Sequence, residues 1–142
     1  MNLILRPQGG VCVYSTVQVN GRTYQSGDVI EILLCKKSRA YAKVIFIEKI
    51  RNKTNVCVQW YYRKSDLPRK YNAIKLASNE LISSNHYDRI NIKSINRKIN
   101  EDDFFCTKFY NCKTHELHSY TEKELLTPLR YWRRYFNRSL IY

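Results

Sequence analysis

The sequence of 142 residues is poor in several things. It holds four glycines, three prolines, one methionine and only 12 acidic residues. No Gly-rich phosphate loop, no Gly-x-Ser-x-Gly elbow and no His-Glu-x-x-His pair occurs. The signatures of phosphate-loop nucleotide chemistry, α/β-hydrolase chemistry and zinc proteolysis are therefore missing. No apolar run approaches the roughly 18 residues of a membrane span, and residues 1–6 are too short for a signal peptide. These absences predict an intracellular, non-enzymatic protein without a membrane partner.

Cysteine usage points the same way. The five cysteines are odd in number, irregularly spaced and without a Cys-x-x-Cys pair. Cys12, Cys35 and Cys57 read as buried reduced thiols. The one metal-like spacing is Cys106-x5-Cys112-x2-His115-x2-His118. Zinc sites use a closer Cys pair and histidines three to five apart, so neither metal nor cofactor is expected.

What the chain has in excess is positive charge: 25 Lys and Arg give a formal net charge of +13. Residues 51–100 hold 11 basic and 3 acidic residues, whereas residues 101–142 hold 7 and 6. A balance of this sign favours a polyanionic neighbour, most often nucleic acid or its packaged form. Plain solubility is the bland alternative.

Hydrophobic content of 44% and aromatic content of 13% predict one folded domain rather than a disordered tail. Residues 1–13, with Pro7 and Gly9-Gly10, read as a flexible N-terminal segment, and residues 14–142 as the domain. Residues 14–19 alternate and end at Asn20-Gly21, a favoured hairpin turn. Ser26-Gly27-Asp28 marks a second turn; residues 29–35, 40–50 and 56–62 read as strands, with further extended pieces at 80–82, 90–95 and 104–110. Such a succession predicts a mainly β fold, a distorted small antiparallel barrel with short helices. Thr121-Glu-Lys-Glu124 is a capping box, and Thr127-Pro128 a helix restart. The C-terminal helix, over about 121–138, carries Leu129, Trp132 and Phe136 on one face and Arg130, Arg133, Arg134 and Arg138 over much of the rest. These arginines are either solvated or in contact with DNA phosphates.

The centre of the chain is Val56-Cys-Val-Gln-Trp-Tyr-Tyr-Arg63. In a strand, Trp60 and Tyr62 share one face and Tyr61 the other. Two such rings are either core or two walls of a cage, which attracts a quaternary ammonium at roughly 0.5–2 kcal/mol per contact. His86 and Asp88, two residues apart, have no nearby Ser or Cys that stands out as a nucleophile.

Together these residues resemble a bromo-adjacent homology (BAH) domain. The resemblance runs over residues 24–131, through Tyr24-Gln-Ser-Gly-Asp-Val-Ile, Ala42-Lys-Val-Ile-Phe-Ile, Val58-Gln-Trp-Tyr-Tyr-Arg63, Asn79-Glu-Leu-Ile-Ser-Ser-Asn-His-Tyr-Asp88, Ile92-Lys-Ser-Ile and Phe104-Phe-Cys-Thr-Lys-Phe-Tyr. It is most similar to plant BAH–PHD readers and animal relatives that bind the Polycomb-type repressive trimethyl-lysine mark. The resemblance implies a nuclear, non-enzymatic reader of a methylated histone tail on the nucleosome, acting in gene silencing beside other chromatin proteins. It implies that Trp60 and Tyr62 are cage walls, with His86 and Asp88 beside the peptide groove. Readers supply a third wall from a Tyr that falls here on Ala40. Tyr41 lies one residue later and reaches the cage if a bulge at the exit of the 36–39 loop rotates it; this is the expected arrangement. The replication-origin version of the family, a basic nucleic-acid-binding barrel using Lys64, Arg69, Lys70 and Lys75, and an adaptor with a vestigial cage are the competing readings.

Overall fold

The computed structural model describes residues 3–8 and 11–119. The C-terminal helix, with Arg130, Arg133, Arg134 and Arg138, lies outside the described residues. The described chain is mainly β: twelve strands joined by turns, with four three-residue 3-10 turns. The strands are β1 Leu3–Gln8, β2 Val11–Tyr14, β3 Thr16–Val19, β4 Arg22–Gln25, β5 Val29–Cys35, β6 Ser38–Ile50, β7 Lys53–Tyr61, β8 Glu80–Ser84, β9 Tyr87–Asn91, β10 Ile95–Ile99, β11 Phe105–Asn111 and β12 Glu116–Ser119.

The largest sheet is built around β6, which at 13 residues is long enough to hold three partners. Its first half pairs with β5, its second half with β2, and β7 runs along its length. β10 extends the sheet from β5, β9 from β7 and β1 from β2. Residues 3–8 and 11–13, expected to be flexible, thus lie in strands. Their alternation is hard to see because the β1–β2 register shifts twice, after Leu3 and again after Leu5. The expected Asn20-Gly21 hairpin joins β3 to β4, with both residues at positive φ, 50° and 76°. β8 and β11 pair in parallel, a departure from the all-antiparallel expectation that the long crossover through β9 and β10 permits.

A bulge at Ile45 interrupts the β6–β7 ladder between Val44 and Phe46. An extra residue resets the alternation of faces, so Val44, Ile45, Phe46 and Ile47 are all buried despite their succession. Ile30, Ile32, Ala42, Val44, Ile47, Val56 and Val58 form the main core, closed by Val17 and Tyr24 from the β3–β4 hairpin. Each large aliphatic side chain there contributes roughly 1.5–3 kcal/mol. A smaller cluster of Leu67, Ile82 and Tyr110 lies under the loop after β7.

Two carboxylates are wholly buried in the main sheet. Glu31 accepts from Asn96 at 2.7 Å and from Arg97 at 3.1 and 3.3 Å, with Arg39 at 3.6 Å. Glu48 meets Arg89 at 3.1 Å. Burial alone would raise the Glu31 pKa; the hydrogen bonds and the two guanidinium charges outweigh it and hold the carboxyl below its ordinary value.

All five cysteines are free thiols, but only Cys57 is fully buried. Cys35, expected inside, is exposed with Leu33 and Leu34 at the β5–β6 hairpin end, where the register shifts beyond Leu33. Burial, aided by Glu48, pushes the Cys57 thiol far above its usual range, and burial pushes Cys106 up to about 11. In a native-state labelling time course with a maleimide, Cys35 is expected to react first and Cys57 only on global unfolding. Cys57 reacting as fast as Cys35 would show that β7 opens locally.

Candidate functional site

Strand β7 carries the row Val56, Val58 and Trp60 on the core face, so Trp60 is the outermost member of a buried line and packs partly on the main core. Trp60 stands across from Ala42 of β6. The chain then leaves the ladder, and Tyr62 makes an isolated antiparallel bridge with Ile82, through backbone hydrogen bonds of 2.8 and 2.9 Å. Residues 82–86 run back along 60–62. The Trp60 N–H donates to the His86 carbonyl at 2.9 Å, and the Ser84 hydroxyl donates to the Trp60 carbonyl. The buried Gln59 amide donates to the Ser84 carbonyl. These bonds fix the strand end from both sides.

They also bring His86 against both rings. Its imidazole centroid lies 6.4 Å from Trp60 and 5.9 Å from Tyr62, and its Nδ1 is 2.8 Å from the Tyr62 hydroxyl. Asp88 Oδ2 accepts from the Trp60 indole N–H at 3.3 Å, while Oδ1 accepts from the Arg89 amide. Trp60, Tyr62, His86 and Asp88 therefore form one constellation, as the sequence anticipates. Behind it Tyr110 packs against Tyr62 at 5.1 Å. Burial, then the neighbouring Cys112, Tyr110 and Asp66, push the Tyr62 phenol up to about 12, so it remains a neutral hydrogen-bonding ring throughout the physiological range.

Tyr41 is not in this group. It stands across from Tyr61 and Glu31, and directly opposed residues share a face. Tyr61 points away from Trp60 and makes an edge contact with Phe104 at 5.5 Å. The expected rotation of Tyr41 does not occur because both bulges lie elsewhere: one on β5 beyond Leu33, the other at Ile45. Neither changes the parity between Tyr41 and Trp60. Ala40 continues the cage-side row, as the ungapped alignment of the motif implies. Ser84 and Gln59, which support this strand end, carry nothing in their local sequence pattern that marks them.

The metal-like residues are dispersed. His115 binds the Tyr110 hydroxyl at 3.0 Å, His118 stacks on Phe109 at 5.3 Å, and among the described residues no cluster of three or more His, Cys, Asp or Glu could hold an ion.

No protein-family model matches the chain, and no curated protein matches it in sequence. Among solved structures it is similar to the crystal structure of the yeast Rsc2 BAH domain, with a TM-score of 0.61 and 18% identity. The match covers 75% of this chain and 53% of that one, so this chain spans about half the length of its neighbour. With the sheet pairing described above, the likeness gives the conclusion that this chain has the fold of a bromo-adjacent homology domain.

Proposed function

We propose that this chain is a non-enzymatic chromatin-binding module of the nucleus, and that its Trp60–Tyr62 face receives a methylated lysine from a histone tail. The observation that carries the reading is the Trp60 ring at the end of β7 and the Tyr62 ring just beyond it, both against His86, with the Asp88 carboxylate at the edge of the indole. Ring faces attract a methylammonium that has shed part of its hydration. Asp88 steadies the indole and keeps lone pairs for a donor on the peptide. His86 stands where a third wall is needed. Its ring is a weaker partner for a cation than the phenol of a Tyr, and the cage is open on the Ala40 side.

An open cage favours one version of this function. The bare tail binds weakly, and the nucleosome supplies the rest of the affinity through DNA phosphates, met by the chain's net charge of +13. Arg130, Arg133, Arg134 and Arg138 are the proposed phosphate contacts. The mark we propose is the Polycomb-type trimethyl-lysine, on the likeness of Trp60-Tyr-Tyr-Arg63 and His86-Tyr-Asp88 to readers of that mark. A gene-silencing role and contacts with other chromatin proteins belong to the same reading.

Titration calorimetry with trimethylated and unmodified tail peptides tests it. The trimethylated peptide is expected to bind at least about fivefold more tightly, since one cation–π contact is worth about 1 kcal/mol. Equal affinity for both would overturn the assignment. Tyr41→Ala is expected to leave peptide affinity unchanged, because its ring is on the far face.

A further inference from the structure

Tyr41 lines a separate cleft. Behind the Trp60 face, a concavity of about 750 Å³ opens between the start of β6, the 3-10 turn after β7 and the loop leading into β8. Its volume lies in the range of small-ligand sites. One side is lined by Tyr41 with the apolar Ile74, Leu76 and Leu81. The rim is cationic, made by Arg63, Lys64 and Lys75.

The carboxylates at the rim and in the lining are engaged within the protein. Asp66 accepts from the Arg63 backbone N–H at 2.8 Å and meets its guanidinium at 3.6 Å, which closes the 3-10 turn Lys64–Asp66 and fixes Arg63 and Lys64 at the rim. Glu80 is the one carboxylate among the lining residues, and it is fully engaged. It accepts from Thr107 at 2.5 Å and from the Ala77 amide at 3.2 Å, with the Lys108 ammonium at 3.5 Å. Among the described residues, neither Lys64 nor Lys75 is paired with a carboxylate. An aromatic platform beside unpaired cations suits a ligand with a flat ring and repeated negative charges. We propose that this cleft binds single-stranded nucleic acid, with one base stacked on Tyr41 and adjoining phosphates held by Lys64 and Lys75. An acidic peptide would use the cations and leave the platform idle, so the polynucleotide is the occupant the cleft fits better.

The site is independent of the Trp60 face, and the experiment keeps the two apart. Fluorescence anisotropy of labelled oligothymidylate and oligouridylate of about ten nucleotides reads the binding, with a duplex of equal length and an oligoglutamate as further arms. The single strands are expected to bind more tightly than either. Tyr41→Ala should weaken them about 5- to 150-fold, the contribution of one stacked base, and Tyr41→Phe should restore most of the loss. Lys64→Gln and Lys75→Gln, both at exposed positions, should each lower the salt slope by about 0.7. Trp60→Ala should leave single-strand binding unchanged. The proposal is overturned if neither single strand binds, if duplex or oligoglutamate binds as tightly, or if Tyr41→Ala has no effect. It also fails if Trp60→Ala costs as much as Tyr41→Ala. Preference for one single strand over the other supports the site and identifies RNA or DNA as its source.

Discussion

Replacing Trp60 by alanine is expected to abolish discrimination of the methylated tail, with a loss of about 2 kcal/mol, or thirtyfold in Kd, for the trimethylated peptide. The unmodified peptide should be almost unaffected, because an unmethylated ammonium keeps its water and gains less from the ring. The indole also packs on the main core through Ala42 and the Val58 row, so the substitution costs stability as well. Trp60→Phe separates the two effects. It keeps a ring and most of the packing but loses the hydrogen bond to Asp88, and it should retain part of the methyl preference. Calorimetry with both peptides, on variants first checked by thermal unfolding, decides the matter. A Trp60→Ala protein that weakens both peptides alike would make the indole a general contact and not a cage wall.

Removing Arg97 is expected to destabilise the domain more than removing its partner Glu31. The Arg97 side chain is 59% exposed and the Glu31 side chain is wholly buried. Arg97→Leu therefore leaves a buried carboxylate in the sheet with only Asn96 and a more distant Arg39. Glu31→Leu leaves a guanidinium that water can reach, and it should cost about 1 kcal/mol, chiefly the lost hydrogen bonds. The Glu31 pKa is lowered in the folded protein. Its stabilisation is thus fully present above the unfolded-state carboxylate value and is lost as pH falls through the folded value. The Arg97→Leu penalty should accordingly be largest near neutrality and shrink in acid, where a protonated Glu31 no longer needs a cation. Urea midpoints at neutral and acid pH measure both claims. A penalty independent of pH would show that the Arg97 stem, and not its charge, matters.

Strands and turns were legible where local chemistry decides them. Asn20-Gly21 at positive φ, the apolar β5 and the Val56–Trp60 alternation appear where the pattern puts them. The bulge at Ile45 was not legible, because a run of four apolar residues reads alike with and without an extra residue. The two buried glutamates gave no sign either, since their partners lie 7 to 66 residues away in sequence. At the site, Trp60, Tyr62, His86 and Asp88 were legible as a group through the family motif. Tyr41 was not placed correctly, because face depends on register, and register is fixed by pairing that no single strand contains. Ser84 supports Trp60 only because two chain segments cross there.

The pleat of β6 makes the two faces rivals for a single phenol ring. One residue inserted between Tyr41 and Ala42 would carry the ring to the position across from Tyr62 and hand the inserted side chain the place opposite Tyr61. The same stroke would close the proposed cage and strip the basic cleft of its tyrosine. On the two proposals above, one inserted codon would thus exchange a platform for a base for a wall of the cage.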